Sequence, residues 1–161
     1  NGATTVWERL NSYTQKDGFG KNNSMNSFNH YSFGAVVAWM YNYSLGIRRD
    51  EMSPGFKHFI LQPEVDPTGH LDKAEGYYDS MYGRIKSRWE KKEGATEYCF
   101  TIPANTSATV ILSTKALGNV RIDGRSVNKR KTQAAYNVET GQLKMELVAG
   151  KYRVEVMNDK R

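Results

Sequence analysis

Residues 83–114 read GRIKSRWEKKEGATEYCFTIPANTSATVILST, and the period of this stretch decides the fold of the larger part of the chain. From Ile85 to Trp89 apolar and polar residues alternate, and a turn follows at Glu93–Ala95. Tyr98–Ile102 and Ala108–Leu112 then continue as two further strands. A period of two sends successive side chains to opposite faces of a sheet, so one face is apolar and the other wet.

The same period holds downstream. Asp123-Gly124 lies between NVRI and RSV and predicts a tight hairpin. Residues 142–158, QLKMELVAGKYRVEVMN, predict two final strands about Gly150, with Leu143, Met145, Leu147 and Tyr152, Val154, Val156 on alternating positions. Residues 80–161 are therefore expected to form an antiparallel β-domain, a sandwich.

Upstream the period changes. In residues 31–45, YSFGAVVAWMYNYSL, the apolar residues Phe33, Val36, Val37, Met40, Tyr41 and Leu45 recur near 3.6. That predicts a helix, with Ser27 or Asn29 available to cap its start and Gly46 suited to the left-handed position after its last turn. Trp39 widens the apolar face over much of the circumference. A lone helix of this kind cannot bury all its faces, so it belongs in a helical assembly. Residues 50–67, DEMSPGFKHFILQPEVDP, set Pro54, Pro63 and Pro67 around Phe59–Leu61 and read as a connector with one short strand. The expected class is α+β, with divisions at 1–50 (helical), 51–79 (connector) and 80–161 (β).

Composition narrows the function. The 161 residues carry 12% aromatics, too many for a disordered segment. No apolar run is long enough to span a bilayer and no signal peptide is visible, so no membrane partner is expected. The single cysteine, Cys99, cannot form an internal disulfide, and its neighbours suggest a buried strand position. The net charge of +6 is uneven: residues 1–79 sum to −2 and residues 80–161 to +8. The densest basic piece, Arg121–Lys131, lacks aromatic interleaving and a recognition-helix pattern. Lys129–Lys131 read as a solvated loop, and no nucleic-acid partner is expected.

Five pieces occur in order: GATTVWE at 2–8, NSFNHYSFGAVVAWMYNYSLGI at 26–47, PGFKHFILQP at 54–63, YGRIKSRWE at 82–90 and IPANTSATVIL at 102–112. Together they resemble the C-terminal region of the bacterial α-L-rhamnosidases of glycoside hydrolase family 78. The resemblance runs over essentially the whole chain. It implies the last helices of an (α/α)6 catalytic barrel followed by a C-terminal β-sandwich, with most of the barrel upstream in the same polypeptide.

The resemblance also implies chemistry. The family inverts the anomeric carbon with two carboxylates. Its general base maps onto Glu8, and a sugar-contacting histidine maps onto His30. Trp7, beside the base, is placed to pack near the sugar. The general acid has no counterpart among these residues. The implied partners are rhamnose-containing glycosides, oligosaccharides or polysaccharides, with no cofactor and no metal. The compartment stays open, with a periplasmic or secreted one favoured.

Taken alone, the residues read more blandly. A Glu beside a Trp is usually a surface or ion-paired residue, and a His before a helix usually caps it. His58 and His70 have no functional support, and the three histidines show no metal-ligand spacing with each other or with Cys99. Lys16–Ser24, KDGFGKNNS, lacks the phosphate-loop spacing and reads as the rim of a site. Tyr77, Tyr78 and Tyr82 could form a sugar platform, but packing explains them more simply. Two other functions stay open: a non-catalytic β-sandwich that binds carbohydrate or supports a barrel, and an (α/α)6 glycosidase for another sugar.

Overall fold

The computed structural model describes residues 2–20, 26–127 and 133–158. Lys21–Ser24 of the Gly- and Asn-rich loop and the basic run Lys129–Lys131 lie outside the described residues. The chain divides into two compact units, Asn1–Trp39 and Met40–Arg161.

The first unit is mostly irregular. Among its described residues the one helix, α1, runs Tyr31–Trp39, and none of the helix is buried. Phe33, Val36, Val37 and Trp39 are each at least half exposed. The expected apolar circumference is present, and among the described residues of this unit none of it is buried. The second unit opens with a π-helical turn, Met40–Ser44, so the helical stretch expected over 31–45 is built as two kinds of helix.

Gly46 then takes φ 67°, the left-handed conformation expected of it. A Cβ there would lie 2.0 Å from Pro63 N and 2.1 Å from the Gln62 carbonyl carbon, so only glycine fits. The strands are β1 Ile47–Arg49, β2 His58–Leu61, β3 Lys73–Ser80, β4 Gly83–Lys92, β5 Ala95–Ser113, β6 Val120–Ile122, β7 Arg125–Ser126, β8 Ala135–Asn137 and β9 Gln142–Met157. β1 and β3 are not legible in the sequence pattern, and the segment 51–79 carries two strands rather than one.

Among the described residues these strands form one nine-stranded sheet. β5 and β9 pair along almost their full length, from Ala95 opposite Met157 to Ser113 opposite Gln142. At one end β4 pairs with β5 and β6 with β9; at the other, β2 pairs with β5 and β8 with β9. β2 runs parallel to β5, and the other pairings are antiparallel. Trp89, Tyr98, Phe100 and Val154 from one end join Phe59, Leu61, Val110, Leu143 and Met145 from the other in a single buried core. One core therefore serves the whole sheet.

Two expectations are corrected here. Tyr98–Ile102 and Ala108–Leu112 are parts of one 19-residue strand, and the two strands about Gly150 are one of 16 residues. The register shifts between Ile102 and Ser107, where Pro103 has no N–H to give and Asn105 takes φ 60°. Thr106 Oγ1 donates to the Pro103 carbonyl at 2.7 Å and closes the bulge. β5 and β9 pair on both sides of this shift, so each runs through it as one strand. Cys99 is half-buried, not buried, because Tyr98 and Phe100 take the inward face on either side of it. The Asp123-Gly124 hairpin is as expected: both residues take positive φ, 49° and 77°, between β6 and β7.

Candidate active site

Glu8, Trp7 and His30 lie together in the first unit, where two stretches of chain, 5–12 and 26–30, are joined by cross-links. Glu8 N–H donates to the Ser27 carbonyl at 2.8 Å, and Ser27 N–H donates back to Glu8 Oε2 at 2.8 Å. His30 N–H donates to the Val6 carbonyl at 2.8 Å, and the Thr5 hydroxyl donates to the Phe28 carbonyl. Asn26 Nδ2 donates to the Ser12 carbonyl at 2.9 Å. Ser12 is fully buried and closes a turn, its N–H on the Arg9 carbonyl and its Oγ accepting from Arg9 N–H.

These links fix the Glu8 side chain. An ionised carboxylate only accepts hydrogen bonds, and a backbone N–H on Oε2 suits it. Its side chain is 19% exposed and lines an open cleft of about 590 Å³ with Ala3, Thr5, Val6, Trp7, Leu10 and Phe33. His30 Nδ1 stands 3.8 Å from Oε2, beyond hydrogen-bond reach but close enough for a charge on one to be felt by the other. The imidazole lies near the Phe33 ring, centroids 5.4 Å apart. Ser27 Oγ accepts from Asn29 N–H in a local turn, a different use from the helix cap expected of it.

Trp7 packs edge-on against Phe28, centroids 4.9 Å apart. Phe28 meets Phe19, and Phe19 meets Tyr13, all edge to face. A second open cleft of about 490 Å³ lies among Trp7, Tyr13, Gln15, Phe19 and Phe28. Trp7 therefore borders both clefts. Phe19, Phe28, Asn26 and the Ser27 amide are not singled out by the sequence. The aromatics lack a period, and a backbone donor leaves no residue signature. Asp17 N–H donates to Thr14 Oγ1 at 2.9 Å, which makes it a turn residue, as its loop position suggests.

The remaining polar clusters lie in the second unit. His58 Nδ1 is 2.7 Å from Ser107 Oγ and its Nε2 is 2.9 Å from Thr109 Oγ1, which donates to Glu146. Neighbouring strands are tied by these contacts, the structural role expected of His58. Arg84 lies 3.8 Å over the Tyr77 ring and Lys57 lies 5.1 Å over Tyr82, while Tyr78 packs on Phe56. The three tyrosines meet side chains of the second unit and remain 48%, 39% and 38% exposed. Among the described residues no group of three or more His, Cys, Asp or Glu is placed to hold a metal ion. No helix among them is long and apolar enough to cross a membrane.

Comparison with known proteins agrees on one family. Residues 46–126 match the bacterial alpha-L-rhamnosidase C-terminal domain, and residues 1–44 match the bacterial alpha-L-rhamnosidase 6 hairpin glycosidase domain. An alpha-L-rhamnosidase of Formosa agariphila is 31% identical over 96% of this chain, and one of Alteromonas sp. strain LOR is 39% identical over 69%. The chain spans only 16% and 12% of those two relatives. The crystal structure of the Streptomyces avermitilis alpha-L-rhamnosidase complexed with L-rhamnose superposes with a TM-score of 0.70 at 29% identity, covering 96% of this chain and 14% of that one.

Proposed function

Because the chain belongs to the bacterial α-L-rhamnosidases, we propose that it is the C-terminal part of an enzyme that hydrolyses terminal α-L-rhamnose with inversion. Residues 1–44 contribute the end of the (α/α)6 catalytic barrel, and α1 is one of its helices. The β-domain follows it. The substrates are rhamnose-containing glycosides or polysaccharides. The upstream part of the same polypeptide supplies the rest of the barrel and the general acid.

Glu8 is the general base. It takes a proton from the water that attacks the anomeric carbon, while the acid protonates the leaving oxygen across the sugar. Inversion needs room for that water, so the two carboxyls stand about 6.5–9.5 Å apart. His30 hydrogen-bonds the sugar beside the base, and Trp7 offers its ring to the apolar face of the sugar. The observation that carries this reading is a half-buried carboxylate, held by the Ser27 amide, 3.8 Å from an imidazole and open to a cleft bordered by a tryptophan.

The test is Glu8→Gln in the full-length enzyme. Loss of the base should lower kcat on an aryl rhamnoside by about 10²–10⁴-fold with the fold intact. The first-formed rhamnose, followed by NMR, should be the inverted anomer. Near-normal turnover by the folded variant would move the base elsewhere, and a retained anomer would refute the two-carboxylate water mechanism.

A further inference from the structure

We infer that Asn26 is a positioning residue for Glu8, an inference that rests on the base assignment above. The Glu8 carboxylate is held through Oε2 by the Ser27 N–H, and that amide can hold it only while residues 26–30 stay in register with residues 5–12. At the site's edge the Asn26 side chain adds to that register, its Nδ2 donating to the Ser12 carbonyl at 2.9 Å. Asn26 precedes Ser27 in the chain, and Ser12 closes the turn that begins one residue after Glu8. The bond therefore spans the Glu8–Ser27 pair from the outside, as the His30 N–H to Val6 bond spans it from the other side.

The other half of the Asn26 amide makes the case specific. Among the described residues Asn26 Oδ1 is buried with no hydrogen-bond partner. A buried acceptor left unpaired costs stability, so this amide is a poor choice for packing alone. Leucine is close to asparagine in shape and would remove that cost. What leucine cannot do is donate to Ser12. That donor ties to Ser12 the loop whose N–H holds the base, and such a link matters where geometry matters to chemistry.

The experiment compares Asn26→Leu, Asn26→Ala and Glu8→Gln in the full-length enzyme, with an aryl rhamnoside as substrate and thermal midpoints as the control for folding. Asn26→Leu should keep its thermal midpoint within a few degrees and its KM within about threefold, while kcat falls about 10- to 100-fold, the cost of a misplaced catalytic group. Asn26→Ala should show the same split between kcat and KM, and it carries the test if the leucine variant fails to fold. Normal kcat in either folded variant, with Glu8→Gln inactive, overturns the positioning role. So does a large fall in thermal midpoint with unchanged kinetics in the enzyme that remains folded, which would make Asn26 structural only. An active Glu8→Gln variant instead refutes the base assignment, and this inference falls with it.

Discussion

The second unit holds two donors whose removal should be costly and measurable in the chain alone. A helical segment leaves its last carbonyls without partners. After the π turn Met40–Ser44 those carbonyls are met by side chains of β4: Trp89 Nε1–H donates to the Ser44 carbonyl at 2.8 Å, and Ser87 Oγ–H donates to the Leu45 carbonyl at 2.6 Å. Both side chains are fully buried. Trp89→Phe removes the N–H and three ring atoms' worth of packing. The unmet carbonyl costs about 1–2 kcal/mol. The lost packing and the residual cavity cost about 2 kcal/mol more. A total near 3–4 kcal/mol corresponds to a fall in Tm of roughly 10–15 °C for a unit of this size. Ser87→Ala should cost about 1–3 kcal/mol, since it leaves a buried carbonyl without its donor. Urea unfolding of the 161-residue chain, followed by far-ultraviolet circular dichroism, measures both. The double variant should fall short of the sum, because the two donors serve adjacent carbonyls. A loss below about 1 kcal/mol for Trp89→Phe, with the denaturant slope unchanged, would refute the role of β4 as the cap of the helical turn.

Gly46→Ala should cost more than about 3 kcal/mol in the same assay, because a side chain at φ 67° would also strike the backbone of Gln62 and Pro63; a neutral result would refute the close approach. Burial pushes the Tyr98 phenol from 10.0 up to about 12. The folded state thus favours the neutral form, its contribution is complete below pH 10 and is lost as pH rises toward 12, and phenolate absorbance from Tyr98 should appear only with unfolding. His30→Ala in the full-length enzyme should lower kcat/KM by about 10–10³-fold with kcat reduced; a change confined to stability would make His30 structural.

What the sequence discloses of the β-fold follows from how pairing writes itself into residues. Ile85, Trp89, Phe100, Leu143 and Val154 alternate because each faces the core from a regular strand, and all are buried. A bulge and a strand break, however, use the same residues. Pro103–Thr106 supplies a missing N–H and a positive φ, which would end a strand as readily as bend it. Only the pairing of β5 with β9 on both sides of it makes the difference. β3 is hidden for another reason. At its centre stands Gly76, against which the end of the Leu45 side chain packs, and a residue with no side chain contributes no apolar signal.

The site is legible in a different way. Glu8 and His30 are ordinary residues until the order of neighbouring pieces is compared with a family, and the structure then sets them 3.8 Å apart across 22 positions of chain. The group that holds the carboxylate could not be read at all, since the Ser27 N–H belongs to the backbone and any residue but proline would supply it. Its placement depends instead on the Asn26 bond to Ser12, two polar residues that look like loop filling. α1 shows the opposite limit. Phe33, Val36, Val37 and Trp39 spread around the helix, a distribution that calls for cover on several sides, yet none of them is buried within the first unit. An amphipathic stripe names both a core and a direction, whereas a helix apolar all round requires burial without indicating its neighbour. The need for an assembly was therefore readable from these four residues, and the identity of what packs on them was not.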